Sequence, residues 1–199
     1  MRRIVIFDRV TADGYFATED GKLDWAVPDD ELDKAAMQGP QVFDTILFGR
    51  RTYEMFEKFW PHALDDRGTA SDPHHAGRRS SELRAMAVFL NETPKVVFSK
   101  TLEKVTWSNS RLVRQLDPRE VEAMKRQPGK DMIMFGSGSI ASQLTQHGLI
   151  DEYQLIVNPV LLGRGRPLLS GVSKSTRVRL LEAKTYPSGN VKLRYARPS

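Results

Sequence analysis

The stretch that decides the fold is Asp131-Met132-Ile133-Met134-Phe135-Gly136-Ser137-Gly138-Ser139-Ile140-Ala141. Its first five residues are mostly apolar, which is typical of a buried strand, and a helix is predicted from Ile140 to His147. The Gly-x-Gly-x-x-Ala spacing lets the backbone approach a diphosphate, and free N–H groups at a helix start point at such an anion. The other interpretation is a tight turn that binds nothing.

The same pattern of a short apolar run followed by a helix recurs on both sides of this segment. Further strands are predicted at residues 2–10, 43–48, 95–99 and 152–157. Helices are predicted from Pro28 to near Gly39-Pro40, through Tyr53–Phe59, through Leu83–Leu90 and over 118–127. Parallel neighbours need crossover connections, so this alternation predicts an α/β fold with a mostly parallel sheet. The chain ends in a predicted antiparallel hairpin of 176–186 and 191–196.

A second candidate anion site follows the strand at 43–48, at Gly49-Arg50-Arg51-Thr52. Arginine forks match phosphate oxygens in a bidentate manner, so this junction is a candidate clamp for a phosphorylated ligand. The alternative is a plain turn with Thr52 as the N-cap and two solvated arginines. Both junctions follow strands of one sheet, at the carboxyl edge where α/β proteins bind ligands. A standard Rossmann domain is not predicted, because the glycine motif follows the fourth strand and no acid stands at Val157-Asn158-Pro159.

Composition excludes several classes of protein. The chain has 199 residues, of which 40% are apolar, and no cysteine, so disulfide scaffolds, thiolate metal sites and cysteine nucleophiles are ruled out. The length predicts one domain over 1–199. The N-terminal apolar run ends at Asp8, and no stretch reaches the ~18 residues of a membrane span, so a soluble, cytoplasmic protein is expected.

Basic residues are concentrated at the C-terminal end. Of the net charge of +5, the segment from Arg164 onward contributes nine Lys and Arg against one acid, Glu182. In the predicted hairpin these cations alternate with apolar residues, which favours a solvated cationic strand face over nucleic-acid binding. The apolar positions are expected to face the core or a second subunit; they are Val178, Leu180, Val191, Leu193 and Tyr195.

Taken jointly, several motifs resemble the dihydrofolate-reductase-like superfamily, and most closely the reductase domain of riboflavin biosynthesis and its stand-alone bacterial relatives. The resemblance is carried by Ile4–Phe7 with Asp13–Ala17, Gly49–Glu54, Phe135–Gly138, Leu149–Tyr153 and Pro159–Gly165. It implies a three-layer α/β fold around a mixed, mostly parallel sheet of about eight strands with the antiparallel C-terminal hairpin. It also implies NADPH as cofactor and a homodimer.

The resemblance assigns roles to particular residues. Gly49, Arg50, Arg51 and Thr52 with Ser99 and Lys100 are expected near the 2′-phosphate and diphosphate of NADPH, and Phe135, Gly136, Ser137, Gly138, Ser139 and Ile140 around the diphosphate. The loop with Asp13, Gly14 and Trp25 is expected to cover the nicotinamide and the substrate. Asp30 resembles the active-site acid that begins a helix in dihydrofolate reductases, and it is the candidate catalytic and substrate-binding carboxyl. The alternative is that Asp29, Asp30 and Glu31 are ordinary first-turn acids.

The implied function is an NADPH-dependent reductase that transfers a hydride to a C=N bond of a small pterin-like or ribosylaminopyrimidine-like substrate. The alternative is a non-catalytic nucleotide-binding or small-ligand-binding protein on the same fold. The family's usual three-glycine segment reads Gly136-Ser137-Gly138-Ser139 here, and the added side chains of Ser137 and Ser139 are expected to restrict the approach of the diphosphate. No metal site is predicted, since His74 and His75 are adjacent and lack ligand spacing. The insertion at 61–79 is expected to shape a pocket or an oligomer contact.

Overall fold

The computed structural model describes residues 1–36, 40–65, 81–173 and 175–198. Within them are ten strands and five helices. The strands are Ile4–Thr11 (β1), Tyr15–Ala17 (β2), Phe43–Gly49 (β3), Lys95–Phe98 (β4), Ser110–Val113 (β5), Asp131–Phe135 (β6), Glu152–Asn158 (β7), Arg166–Pro167 (β8), Arg179–Thr185 (β9) and Val191–Ala196 (β10). The helices are Asp30–Ala36 (α1), Arg50–Phe59 (α2), Ser81–Glu92 (α3), Pro118–Arg126 (α4) and Gly138–Gln146 (α5).

Eight of the strands form one sheet in the order β5-β4-β3-β6-β1-β7-β10-β9. The six strands from β5 to β7 are parallel, and β10 runs antiparallel to both β7 and β9. The predicted α/β class, the mostly parallel sheet and the antiparallel C-terminal hairpin are thereby confirmed. A separate antiparallel ribbon pairs β2 with β8 and ties the segment after β1 to the segment after β7.

Alternation along the central strands divides the core into two apolar layers. Ile4 and Ile6 of β1 join Met132 and Met134 of β6 in one layer, together with apolar residues of α4 and α5. The intervening residues of β6, such as Ile133, join a second layer with the aromatic residues of α2. A strand with apolar residues on both faces must be covered on both sides. The sheet is therefore the middle of three layers.

The structure adds three strands that the sequence patterns did not predict. β5 is a short edge strand whose side chains are exposed or half-buried, so it lacks the continuous apolar run of its neighbours. β2 and β8 have three and two residues, too few to show a period. The predicted end of the first helix near Gly39 and most of the 61–79 insertion lie outside the described residues. Among the described residues, no helix combines the length and apolar character needed to cross a bilayer.

The prediction of a solvated cationic face on the hairpin is wrong for β10. Arg194 contacts Glu152 through Nε at 2.7 Å and Glu182 at 3.2 Å, and Lys192 lies 3.8 Å from Glu182. Both cations are about two-thirds or more buried, since their side chains are 32% and 19% exposed. The sequence pattern identified alternation but not the acids that β7 and β9 bring alongside. Much of the local positive charge is therefore neutralised.

Candidate functional site

A cleft of about 910 Å³ opens over the carboxyl ends of β1, β3, β4 and β6. It brings together every residue that the sequence predicted for phosphate and cofactor binding: Gly49, Arg50, Arg51, Thr52, Ser99, Lys100, Phe135, Gly136, Ser137, Gly138, Ser139 and Ile140. Their convergence follows from the topology, because β4, β3 and β6 are adjacent and parallel, so their carboxyl ends meet at one edge.

Ser137 joins the two glycine-containing junctions directly. Its Oγ accepts a hydrogen bond from the Gly49 N–H at 2.8 Å and donates one to the Thr52 Oγ1 at 2.9 Å. Ser137 holds this position in the left-handed region, at φ 66°. The Ser137 side chain is therefore buried between the junctions, and its hydroxyl is already engaged there. The sequence-based expectation that it obstructs a diphosphate has no support in this placement.

Glycine is required at both ends of that link. Gly136 has φ 52°, a conformation that other residues rarely adopt, and a Cβ there would meet the Thr52 hydroxyl at 3.0 Å. Gly49 has ordinary φ, but its Cβ would lie 3.0 Å from Cγ1 of Ile140. The two strand–helix junctions thus approach each other as closely as backbone and side chain allow.

Two helices present free N-termini to the cleft. α2 follows Gly49 and α5 follows Ser137, and within the described residues neither has a side-chain cap on its first-turn N–H groups. α4, by contrast, is capped by Asp117, whose side chain accepts from the N–H of Arg119. Uncapped N–H groups and the helix dipole favour a bound anion. This contrast is consistent with anion binding at α2 and α5.

Six cationic side chains line the cleft among the described residues; two of them are Arg9 of β1 and Arg166 of β8, and the other four follow β3, β4 and β5. Arg50 and Arg51 begin α2, Lys100 follows β4, and Arg114 follows β5. Arg114 was not predicted as a site residue, because the edge strand that carries it was itself not predicted. One Arg114 nitrogen donates to the Glu103 carbonyl at 2.9 Å, which fixes the loop after β4 beside Lys100. Ser99 is part of the same loop, where its Oγ accepts from the N–H groups of Thr101 and Leu102 at 3.2 and 2.9 Å.

The Asp13-Gly14 motif has a connecting role in the structure. The Asp13 carboxylate accepts from the Gly163 N–H at 2.7 Å, from the Leu162 N–H at 3.3 Å and from the Thr11 hydroxyl at 2.5 Å. The hydrogen bond from Thr11, followed by those of the two N–H groups, lowers the pKa of Asp13. The motif thus joins the loop after β1 to the loop after β7, next to the β2–β8 ribbon that borders the cleft.

Asp30 and Trp25 are not brought into the cleft. Among the described residues, the cleft lining contains neither, and Asp30 is exposed in the first turn of α1. Asp29 is the buried acid of that turn, and its carboxylate accepts from the N–H groups of Leu32 and Ser188 at 2.8 and 3.1 Å. Burial alone would raise the pKa of Asp29, but these hydrogen bonds outweigh burial and lower it. Asp29 therefore acts as a helix-capping acid.

The carboxyl group that does line the cleft is Asp8 of β1. Its side chain is buried, with the residue 8% exposed, and burial raises its pKa well above the usual range, an effect that the Arg9 N–H only partly opposes. Sequence reasoning missed it. The available signal was an acid inside the apolar strand Ile4–Val10, a position where an unpaired charge is costly.

No metal centre is found among the described residues, where no three His, Asp or Glu side chains gather. His62 contacts Asp65 at 3.0 Å on the surface. The pair His74 and His75, considered in the sequence, lies outside the described residues.

Comparison with known proteins identifies the family. Residues 2–192 match the model of the RibD C-terminal domain. The chain belongs to the RibD C-terminal domain family. Two uncharacterized members from Bacillus subtilis are similar over nearly their whole length: YyaP is 27% identical over 98% of this chain and 94% of its own, and YwjB is 25% identical over 98% of both.

Solved structures share the fold of this RibD C-terminal domain. A Shewanella sp. PV-4 protein named for riboflavin biosynthesis has a TM-score of 0.72 at 21% identity, covering 99% of both chains. A pyrimidine reductase-like protein from Corynebacterium diphtheriae has a TM-score of 0.64 at 15% identity, covering 100% of this chain and 92% of its own. Dihydrofolate reductase from Enterococcus faecalis, complexed with NADP(H), has a TM-score of 0.60 at 11% identity, covering 99% of this chain and 97% of its own. The family and its fold relatives thus include reductases.

Proposed function

We propose that this protein is an NADPH-dependent reductase that transfers a hydride to a C=N bond of a small heterocyclic substrate, pterin-like or ribosylaminopyrimidine-like. The observation that carries the proposal is one cleft at which the ends of β3, β4, β5 and β6 place two uncapped helix N-termini and four of the cationic lining residues. Such a donor set suits the several phosphate groups of NADPH. The NADP(H) complex of the Enterococcus relative supports the same choice.

The residues present fit the cofactor in chemical terms. The N–H groups at the starts of α2 and α5 would hold the diphosphate, while Arg50, Arg51 and Lys100 would hold the 2′-phosphate. NADPH would supply the hydride. The chain's own part is to bind the phosphates at the cationic end, to keep the Gly49–Ser137–Thr52 link rigid, and to present an apolar wall of Phe7, Phe16 and Phe135 to a flat ring.

Thermal melting tests the cofactor, because a ligand that binds only the native state raises the melting temperature by mass action. We expect millimolar NADPH to raise the melting temperature more than NADH does, since only NADPH has a 2′-phosphate. Lys100→Ala should reduce the NADPH-dependent rise and leave the NADH-dependent rise nearly unchanged. Lys104→Ala, a lysine of the same loop that does not line the cleft, is the matched control. A melting temperature that NADPH leaves unchanged would refute the proposal.

A non-catalytic nucleotide-binding protein is the second candidate. It is favoured by the position of Asp30, since the acid predicted to assist protonation is exposed and outside the cleft lining among the described residues. Asp30→Asn tests the predicted role of this acid. If Asp30 acts in catalysis, the variant should bind NADPH normally and lose NADPH oxidation with a C=N substrate. A protein that binds NADPH yet oxidises it with no imine or pterin would favour the second candidate.

A further inference from the structure

The pairing between β1 and β6 ends next to Asp8. β1 pairs with β6 from Ile4↔Met132 to Phe7↔Phe135, whereas its pairing with β7 continues to Thr11↔Asn158. After Phe135 the chain turns away at Gly136, so β1 continues beyond the end of β6. Asp8 is the first β1 residue past the last β1–β6 pair. Alternation places it on the same face as Ile6 and Val10, which belong to the apolar layer that contains Ile140 of α5.

Asp8 lies at the opposite end of the cleft from Lys100 and Arg114. In the order β4-β3-β6-β1 its strand is three spacings from β4, or about 14 Å at the usual separation of neighbouring strands. Lys100 follows β4 at the far end. On the face of β1 that carries Asp8, the cleft lining includes Phe16 and Ile140. Arg9 and Arg166 also line the cleft, and each guanidinium already contacts another group, Asp33 and the Glu19 carbonyl. A cofactor held by its phosphates at the cationic end leaves this end for a flat, uncharged ring.

Asp8 is buried without a neutralising partner. Among the described residues, no donor or acceptor lies within hydrogen-bond distance of its Oδ2. Arg9, its neighbour in β1, has its guanidinium 3.1 Å from Asp33, and Arg166 of β8 donates to the Glu19 carbonyl at 2.6 Å. α5 has no ionisable side chain. The other ionisable groups on the neighbouring strands and on α2 are Tyr15 of β2, Asp131 of β6, Glu152 and Tyr153 of β7, and Arg50, Arg51, Tyr53, Glu54, Glu57 and Lys58 of α2.

A carboxyl that is buried beside apolar side chains, with no partner for its Oδ2 among the described residues and only a backbone hydrogen bond from Arg9 to oppose the effect of burial, is held in its neutral form. A neutral carboxyl can donate a proton. We propose that Asp8 is the proton donor of this cleft, acting on a basic nitrogen of a flat heterocyclic substrate. The inference rests on the reductase function proposed above. It names a residue on a strand, in a different place from the helix acid Asp30.

The proton and electron balance of the step is complete. When bound, NADPH would supply the hydride that forms a new C–H bond at the carbon of the C=N group, and the π electron pair would move to the nitrogen. That nitrogen takes the proton from the Asp8 carboxyl, which becomes a carboxylate and regains a proton from water. The substrate is reduced by two electrons and the nicotinamide is oxidised by two. Asp8 is regenerated.

The first test uses the protein without cofactor. Protein labelled with ¹³C at aspartate carboxyl carbons is titrated by NMR, and the Asp8 resonance is assigned as the one missing in Asp8→Asn. We expect this carboxyl to lose its proton at a higher pH than an aspartate of ordinary pKa. Asp24→Asn, at an exposed aspartate, is the matched control and should leave the Asp8 resonance and its titration unchanged. An Asp8 resonance that is ionised by pH 5 would overturn the proposal.

The second test uses the NADP⁺-loaded protein, which cannot reduce an imine, and two bicyclic probes: 3,4-dihydroisoquinoline, which has a C=N bond, and its carbocyclic counterpart 1,2-dihydronaphthalene. We expect Asp8→Asn to weaken binding of the imine at least tenfold and to leave binding of the hydrocarbon unchanged, as measured by calorimetry. Asp24→Asn should change neither. Equal imine binding by wild type and Asp8→Asn, or no imine binding by either, counts against the proposal.

The outcomes for Asp8 and for the reductase function can be told apart. If NADPH fails to raise the melting temperature, the reductase function fails, while the NMR titration still reports on Asp8. If NADPH binds and the Asp8 carboxyl titrates as an ordinary acid, Asp8 alone fails. Asp8→Asn is isosteric and removes a buried ionisable group, so it should fold; Asp8→Leu, which fills the same apolar wall, is the second variant and should lose imine affinity equally.

Discussion

At the scale of single residues, burial divides the polar side chains into two kinds. Lys95 and Lys125 are almost fully buried, yet their ammonium groups donate to backbone carbonyls, Lys95 to Thr93 and Ser108 at 2.8 and 3.1 Å. Asp8 is buried in the cleft, and in the described part of the chain its Oδ2 has no partner. A partnered buried group contributes to the fold, whereas an unpartnered one costs stability and therefore points to function.

The free energy of unfolding should depend on pH because the Asp8 carboxyl is buried. Because burial raises the native pKa of Asp8 above its unfolded value of about 3.8, the native state binds the proton more tightly. The contribution of Asp8 to stability is therefore complete below pH 4 and is lost as pH rises through the raised pKa. Asp8→Asn, which cannot ionise, should become progressively more stable than wild type from pH 4 upward. The difference should grow by about 1.4 kcal/mol per pH unit until the pH reaches the native pKa of Asp8.

Urea denaturation from pH 4 to pH 8 measures the difference. Asp24→Asn should follow the wild-type curve, since Asp24 is exposed. A constant difference between Asp8→Asn and wild type over the whole range would contradict a raised pKa for Asp8.

Lys95 should show the opposite pH dependence. Burial lowers the pKa of Lys95 to about 8, from 10.5, so between pH 8 and 10.5 the unfolded state binds more protons than the native state. Wild type should therefore gain stability over this range relative to Lys95→Met. At pH 7 the variant should be destabilised by about 1–3 kcal/mol, because three backbone carbonyls and the face of Trp107, 4.5 Å away, lose their partner. Guanidinium denaturation at pH 7 and pH 10 checks both signs.

At the scale of elements, the candidate site is built mainly from strand–helix junctions and less from the helices and strands that they join. The sequence predicted two separate strand–helix turns, and the structure links them through one hydroxyl, that of Ser137. This link was not predictable, because it depends on a backbone at φ 66° that serine seldom adopts. Gly136 and Gly49, by contrast, could be recognised from the sequence, because each is a glycine that follows a predicted strand.

Removing the Ser137 hydroxyl should loosen both junctions. In Ser137→Ala the Gly49 N–H loses its acceptor in a buried place, which costs about 1–3 kcal/mol of unfolding free energy. NADPH affinity should fall as well, because the two helix N-termini are no longer held together. Ser139→Ala, in the same turn but exposed, should leave stability within about 0.5 kcal/mol of wild type. Calorimetric unfolding and NADPH titration of both variants measure the effects, and equal behaviour of the two would refute the role of Ser137.

At the scale of the whole molecule, the fold was predictable where apolar runs alternate with helical segments. Site residues were predictable where they directly follow a predicted strand. The alternation of apolar runs and helices predicted the central strands. β5 is short and half-exposed and carries no such pattern, so neither this strand nor Arg114, the cleft residue that follows it, was predicted. Asp8 and the ion pairs of Arg194 depend on which strands lie side by side. The order of the strands brings residues that are far apart in the sequence into contact, and this order cannot be deduced from a local sequence pattern.

We expect two copies of the chain to associate through β9, the strand at the outer edge of the sheet. β9 ends the strand order, and in the described part of the chain no strand pairs with its outer side. Apolar side chains stand exposed there, with Leu180 at 51% and Leu181 at 40%. An exposed apolar edge strand favours pairing with another chain.

Light scattering should therefore give wild type twice the chain mass of 22.6 kDa. Leu180→Lys should reduce the mass to that of one chain, because it places a like charge from each copy at the contact. Leu161→Lys, at a more exposed leucine (77%) in the loop after β7, is the control and should leave the mass doubled. A wild-type mass of one chain, or a doubled mass that survives Leu180→Lys, would exclude β9 as the contact. Since the cleft lies over β1, β3, β4 and β6, the single-chain variant should keep its NADPH-dependent rise in melting temperature.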